Sequence, residues 1–287
     1  MEPIFRLTRP GDEEQLKQVW ADAYDGDTVC AERYFASCYH PGDGIAAEVD
    51  GTLCSAIYLM EHFVLHVPEK KDYDCCYLYA LGTPDRYRGQ GLGGRTIWRS
   101  GAEGYMRGCD YVCFLPASDS LSLWYQDILG AKVVFFHRRG NVTRTAEAPV
   151  GTLTGLSAEE YAAVRAQLLG AHTYAQPSED GMRLQRDYCA LYGGGFYRID
   201  LNGASGICAC DVDGESLTLR ELLMPDGDVN ACAQLAMKHF ACSEAEVRTP
   251  AFWHDGFGTI RGDCVHVPGG TRFPSREAYP YWGLAMD

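Results

Sequence analysis

One stretch constrains the fold more than any other: Thr83-Pro84-Asp85-Arg86-Tyr87-Arg88-Gly89-Gln90-Gly91-Leu92-Gly93. The apolar and aromatic run Cys75–Leu81 before it reads as a strand, and Thr96 to Met106 after it reads as a helix. The stretch is therefore a strand, a glycine-rich turn and a helix start. Glycines at alternate positions let the backbone turn tightly and approach a ligand closely. The helix N-terminus behind them presents unpaired N–H groups and partial positive charge, which favour phosphate. Arg86 and Arg88 add charge that pairs well with phosphate oxygens. The turn, with Gly89, Gln90, Gly91, Leu92 and Gly93, is a candidate pyrophosphate cradle; a ligand-free connector is the plainer alternative.

Two familiar cradles are excluded. A P-loop ends in Gly-Lys-Ser/Thr, whereas Gly93-Gly94-Arg95-Thr96 carries no lysine. A dinucleotide fingerprint needs Gly-x-Gly-x-x-Gly, and Gly89-x-Gly91-x-Gly93 has a different spacing. The pattern Arg/Gln-x-x-Gly-x-Gly/Ala fits at Arg88–Gly93 and, overlapping, at Arg86-x-x-Gly89-x-Gly91. With the strand before it, this resembles the acetyl-coenzyme A (acetyl-CoA) loop of the GNAT N-acetyltransferases. A second segment adds to the resemblance: Tyr111-Val112-Cys113-Phe114-Leu115-Pro116 as a strand, Leu121–Leu129 as a helix stopped by Gly130, then Lys132–Phe136 as a strand. GNAT proteins carry a similar strand, a helix with Tyr-x-x-x-x-Gly-Phe, and a strand; Tyr125 falls on that tyrosine, and Ala131 replaces the phenylalanine.

The resemblance implies that Tyr125 protonates the leaving thiolate, that the backbone through Leu81, Gly82 and Thr83 faces the acetyl and pantetheine groups, and that Ser118 lies near the pantetheine. A phenol of pKa about 10 can donate to a thiolate of pKa about 8.5 when held within hydrogen-bond reach. Ordinary packing of Tyr125 in the core is the alternative.

Composition sets outer bounds. The chain has 287 residues, 46% hydrophobic and 22% charged, and its formal net charge is −14 from 25 basic and 39 acidic residues. The acidic balance argues against nucleic-acid binding and is compatible with drawing in cationic amines, though solubility alone accounts for it. No apolar run reaches membrane-spanning length, and the start lacks the apolar core of a signal peptide, so a cytoplasmic location is expected. The 13 cysteines have no zinc-finger spacing and sit mostly among apolar residues, as core thiols of a reducing compartment do; no metal is expected.

In chain order, residues 5–8 read as a strand, 13–23 as a helix capped by Asp12, and 28–38 as a second helix. Gly44–Met60 reads as a hairpin turning at Asp50-Gly51 and continuing to Val67. The resemblance selects the topology: an α/β GNAT fold with a mixed, mostly antiparallel sheet flanked by helices, over residues 1–145. The polar stretch that follows Asn141 and ends at Pro149-Val150-Gly151 reads as a linker. Residues 150–287 repeat the order helix, hairpin, strand, turn, helix, strand. Their turn, Met224-Pro225-Asp226-Gly227-Asp228-Val229, has no arginine and two carboxylates, which repel a phosphate. A second GNAT-like domain without a cofactor loop is expected, in tandem with the first. The tail from Ala251 to Leu284 is rich in aromatics, read as an anchored segment in preference to a cation-binding wall.

Amine acetylation needs the acyl donor oriented, the amine deprotonated and the thiolate protonated. For the second task Glu61 is the leading candidate, with His62, Asp74 and, by resemblance to tandem proteins of the Eis group, the terminal Asp287 behind it. The expected activity is transfer of acetyl from acetyl-CoA to a primary amine of a small molecule or peptide. The alternative is a non-catalytic acyl-CoA sensor. Self-association is left open.

Overall fold

A computed structural model of the chain describes residues 2–146, 149–269 and 272–285, with the backbone alone at 61, 62, 263 and 264. The first half runs β1 (Ile4–Leu7), α1 (Glu13–Ala23), α2 (Val29–Ser37), β2 (Gly44–Val49), β3 (Thr52–His66), β4 (Tyr73–Gly82), α3 (Leu92–Met106), β5 (Tyr111–Phe114), α4 (Asp119–Leu129) and β6 (Lys132–Thr143). The second runs β7 (Gly151–Gly155), α5 (Ala158–Leu169), β8 (Tyr174–Pro177), α6 (Glu179–Leu191), β9 (Gly195–Leu201), β10 (Ala204–Asp213), β11 (Ser216–Leu223), α7 (Val229–Phe240), β12 (Glu244–Pro250) and β13 (Thr259–Val267).

Local chemistry explains many of these elements. α1 buries Leu16, Val19 and Trp20 from one helical stripe. Asp50 and Gly51 both take positive φ (51° and 78°), which the tight turn between β2 and β3 requires, and Asn202 and Gly203 (53° and 84°) do the same between β9 and β10. Ser157 and Glu160 form a reciprocal capping box at α5. Asp12 stands at the start of α1 but makes no capping bond. Its carboxylate is taken instead by Arg6, at 2.6 and 3.0 Å, and by the Arg9 backbone N–H at 2.8 Å. A bidentate guanidinium outcompetes a neutral amide for a carboxylate.

The strands form a single sheet in the order β1-β2-β3-β4-β5-β13-β6-β12-β11-β10-β9-β7, with β8 paired to the far end of β3. Neighbours are antiparallel except β4 with β5 and β11 with β12, which are parallel. Alternation along β4 and β5 splits the core of the first half. Cys76, Leu78, Val112 and Phe114 pack with Ile97 of α3 and Tyr125 of α4. Cys75, Tyr77, Tyr111 and Cys113 face the layer of α1, α2 and α6. In the second half α7 covers one face and α5 with α6 the other.

Three elements depart from the sequence reading. Gly151, taken as the end of a linker, instead opens strand β7, which pairs with β9. Tyr174–Pro177 adds β8 beside β3. The tail contributes β13, which inserts between β5 and β6. Its anchoring role is otherwise as expected: Trp282 is buried against Phe63, Tyr77 and Phe135, with ring centroids 5.1, 5.4 and 4.9 Å away.

Candidate active site

β4 and β5 are paired only over Cys75–Tyr77 and Tyr111–Cys113; beyond that β4 runs on to Gly82 while β5 ends at Phe114. The gap between them opens at the glycine loop. β4 also kinks there. Its pairing with β3 shifts register between Ala56 and Tyr58, and Ala80 takes a φ of 51°, a left-handed conformation that a residue with a Cβ adopts only when its surroundings impose it.

The end of β4 is held by its carbonyls. The Tyr24 phenol donates to Leu81 O at 3.0 Å, the Ser55 hydroxyl to Gly82 O at 3.0 Å, and the Arg88 Nε to Thr83 O at 2.9 Å. Since Ser55 spends its proton on Gly82, the Thr83 hydroxyl is the donor in the 2.8 Å contact between the two hydroxyls. Gly82 is buried against α1: a Cβ there would meet Ala23 at 3.2 Å and Val19 O at 3.4 Å.

The loop then makes a short 3₁₀ turn over Asp85–Tyr87 and enters α3 through Gly91. Gly89 and Gly91 have φ of 75° and 74°, and a Cβ on either would meet nothing within 4 Å, so these glycines serve backbone conformation and leave the loop's outer side open. α3 begins with no side-chain cap, and its first turn holds no acidic residue. Leu92 packs inward on Ala47 and Cys54 and anchors that turn. Gly93 lies against Thr83, whose Oγ1 would be 3.2 Å from a Cβ there. Gln90 Nε2 donates to Arg86 O at 3.4 Å.

The two arginines have protein partners. Arg86 pairs with Asp22 of α1 at 2.6 Å and lies over the Tyr87 ring. Arg88 pairs with Asp85 at 2.6 Å besides holding Thr83 O. Both are more than half exposed. Their geometry ties the loop to α1 and to the end of β4.

Across the gap, Ser118 caps α4, its hydroxyl accepting from Leu121 N at 3.2 Å and lying 2.9 Å from Ser120 Oγ. Gly130 ends the helix at φ 63°. Between them Tyr125 is buried edge-on against Phe114, centroids 4.6 Å apart. Burial pushes its phenol up to about 12, so it is protonated at neutral pH.

Of the candidate bases, Glu61 and His62 lie on the backbone of β3 inside the register shift between Met60 and Phe63; their side chains, and Asp287 altogether, lie outside the described residues. Asp74 is exposed at the end of β4 away from Leu81, where its backbone pairs with Asp110.

The corresponding turn of the second half is closed. Asp228 caps α7, its carboxylate accepting from Asn230 N at 2.8 Å and Ala231 N at 3.2 Å. β11 and β12 also part after four paired positions, and there Thr249 Oγ1 donates to Leu222 O at 2.9 Å. Sequence reasoning missed Tyr24 and Ser55 at the first site. Neither belongs to a motif, and only the packing of α1 and β3 on β4 brings them there.

No protein-family model and no curated protein matches this sequence. Solved structures do. Eis1 from Mycobacterium abscessus superposes with a TM-score of 0.64 at 13% identity, over 92% of this chain and 73% of that one. A probable N-acyltransferase from Enterococcus faecalis V583 gives 0.66 at 10% identity, over 93% and 72%. The fold is the GNAT fold. A putative acetyltransferase from Pyrococcus horikoshii, with a TM-score of 0.57 at 13% identity, is covered over 96% of its length by 99% of this chain. The GNAT likeness therefore extends through both halves, and the parted β4 and β5, the glycine loop and α4 lie within it. At these identities the likeness concerns the fold alone.

Proposed function

We propose that the protein is an N-acetyltransferase that uses acetyl-CoA and a primary amine. One observation carries this reading. An α3 N-terminus without a side-chain cap follows two open, left-handed glycines, and the buried phenol of Tyr125 stands across the gap in which β4 and β5 part. The residues fit the donor. The N–H groups at Gly91, Leu92 and Gly93 would hold the pyrophosphate, helped by the helix dipole. The end of β4 from Leu81 to Thr83 and the capped start of α4 at Ser118 would flank the pantetheine arm. Acetyl-CoA supplies the activated acyl group. Tyr125, kept protonated by burial, is suited to give its proton to the departing thiolate.

The two halves are read as GNAT-like domains in tandem, 1–145 and 150–287, the second without a donor loop because Asp228 occupies its helix N-terminus. A cytoplasmic location is in keeping with cysteines that form no disulfide among the described residues. The acceptor is a small-molecule or peptide amine.

The test is release of free coenzyme A from acetyl-CoA on incubation with a panel of amines. Turnover by the wild type is expected, falling about 100-fold in Tyr125→Phe while acetyl-CoA affinity changes less than about threefold. A wild type that binds acetyl-CoA and acetylates no amine would favour the sensor reading. Equal turnover in Tyr125→Phe would remove that phenol from the mechanism.

A further inference from the structure

Three consecutive carbonyls at the end of β4 each have a side-chain donor, and the donors come from three different elements. Ser55 lies within β3 and Arg88 within the loop; Tyr24 is the residue that closes α1. Such a concentration needs a reason, because the carbonyls of a strand ordinarily find their donors in a neighbouring strand. Here β5 has already diverged. The residue just before the held segment is Ala80 at φ 51°, and an unfavourable backbone state persists only where its surroundings over-determine it. Tyr24 makes the nearest of the three bonds. A peptide unit is planar, so holding Leu81 O also fixes the Gly82 N–H on the opposite side of the same plane.

We propose that Tyr24 is a positioning residue for acyl transfer: its hydroxyl holds the Leu81–Gly82 peptide, and with it the Ala80 kink, in the orientation that presents the end of β4 to the acyl donor. This rests on the acetyltransferase reading. The Tyr24 ring packs on Trp20, with centroids 5.8 Å apart. Tyr24 as a whole is 37% exposed, but its hydroxyl end shares the surroundings of Tyr125 and Arg88: desolvation first, then the Tyr125 phenol, raises its ionisation above the usual range, with Arg88 opposing. It is a hydrogen-bond donor at any working pH. α1 thus reports to the reacting end of β4 through one hydroxyl, while Arg86–Asp22 ties the same helix to the loop.

Tyr24→Phe keeps the ring and removes only the hydroxyl. Steady-state kinetics and amide hydrogen exchange over residues 80–83 should be measured on the wild type, Tyr24→Phe and Tyr24→Phe/Ala80→Gly. The expected result is a roughly tenfold loss of kcat, as for one lost hydrogen bond in the transition state. Acetyl-CoA affinity should stay within about twofold and exchange at Gly82 should quicken. The double variant should recover much of kcat, because glycine holds a positive φ without help. A packing role alone would give no recovery from Ala80→Gly. Unchanged kcat and exchange in Tyr24→Phe, or a loss that Ala80→Gly leaves untouched, overturns the proposal. A wild type with no acetyl transfer at all defeats the acetyltransferase reading and this proposal with it. Turnover by the wild type beside an unaffected Tyr24→Phe defeats this proposal alone.

Discussion

His266 shows at the scale of one residue what this sheet does to a titratable group. It is 4% exposed on β13, 3.3 Å from the Tyr105 hydroxyl and edge-on to Tyr111. Burial, then the charge of Lys132, pushes its pKa down to about 4. An unfolded histidine titrates near 6.5, so between those values the unfolded chain binds the extra proton and the folded one does not. Stability from this residue is therefore constant above about pH 6.5 and falls as the pH drops toward 4. Urea unfolding should show about 2 kcal/mol less stability at pH 5 than at pH 7.5, and His266→Gln should remove that part of the slope. An identical slope in the variant would mean the histidine is already charged in the folded state. The arginines of the loop carry a different lesson. Their sequence pattern suggested phosphate ligands, and the structure gives both of them carboxylate partners and one a backbone carbonyl. A short motif names the residues at a turn; it does not assign each side chain its partner.

At the scale of elements, much of the first half was legible because its signals are local. A two-residue turn at Asp50-Gly51, a stripe of Leu16, Val19 and Trp20, a glycine stop at Gly130 and the loop itself need only neighbours in sequence. The same is true of the Ser157–Glu160 box and of Asp228 at α7. What escaped was long-range. The left-handed Ala80 has no composition signal, since any residue there would look like continuing strand. β7, β8 and β13 are short or irregular, and each is a strand only because an open edge awaits it. Tyr24 follows an ordinary helix and acquires a role only when that helix packs on β4. The candidate site was thus legible in its loop and in Tyr125, and illegible in the residues that hold its backbone.

At the scale of the whole molecule, one buried group binds the halves. Arg165 of α5 is fully buried, paired with Glu221 of β11 at 3.0 Å. It also donates to Ala175 O of β8 at 2.7 Å and to Trp282 O of the tail at 2.8 Å. Tyr161 completes the carboxylate's shell at 2.9 Å. β8 lies on the first-half strand β3, and Trp282 lies on Phe63 and Tyr77 of that half, so the network spans the sheet. Arg165→Met should cost about 3–5 kcal/mol by stranding a buried carboxylate. The loss should appear in a single unfolding transition, because the halves share strands, and adding Glu221→Leu should restore a large part of it. Two separate transitions in the wild type would contradict that account. The continuous sheet matters for function because it fixes the gap between β4 and β5 from both sides: by β3 and α1 on one, by β13 and the tail on the other.

The claim on which the rest depends is that the Gly89–Gly93 loop and the start of α3 hold acetyl-CoA. The most direct test is calorimetric titration of acetyl-CoA into the wild type and into Gly91→Glu, each first shown to be folded. A glutamate at Gly91 puts a carboxylate where the pyrophosphate would lie. The account predicts saturable one-site binding by the wild type, weakened at least about tenfold in the variant. No binding by the wild type, or equal binding by Gly91→Glu, would contradict it.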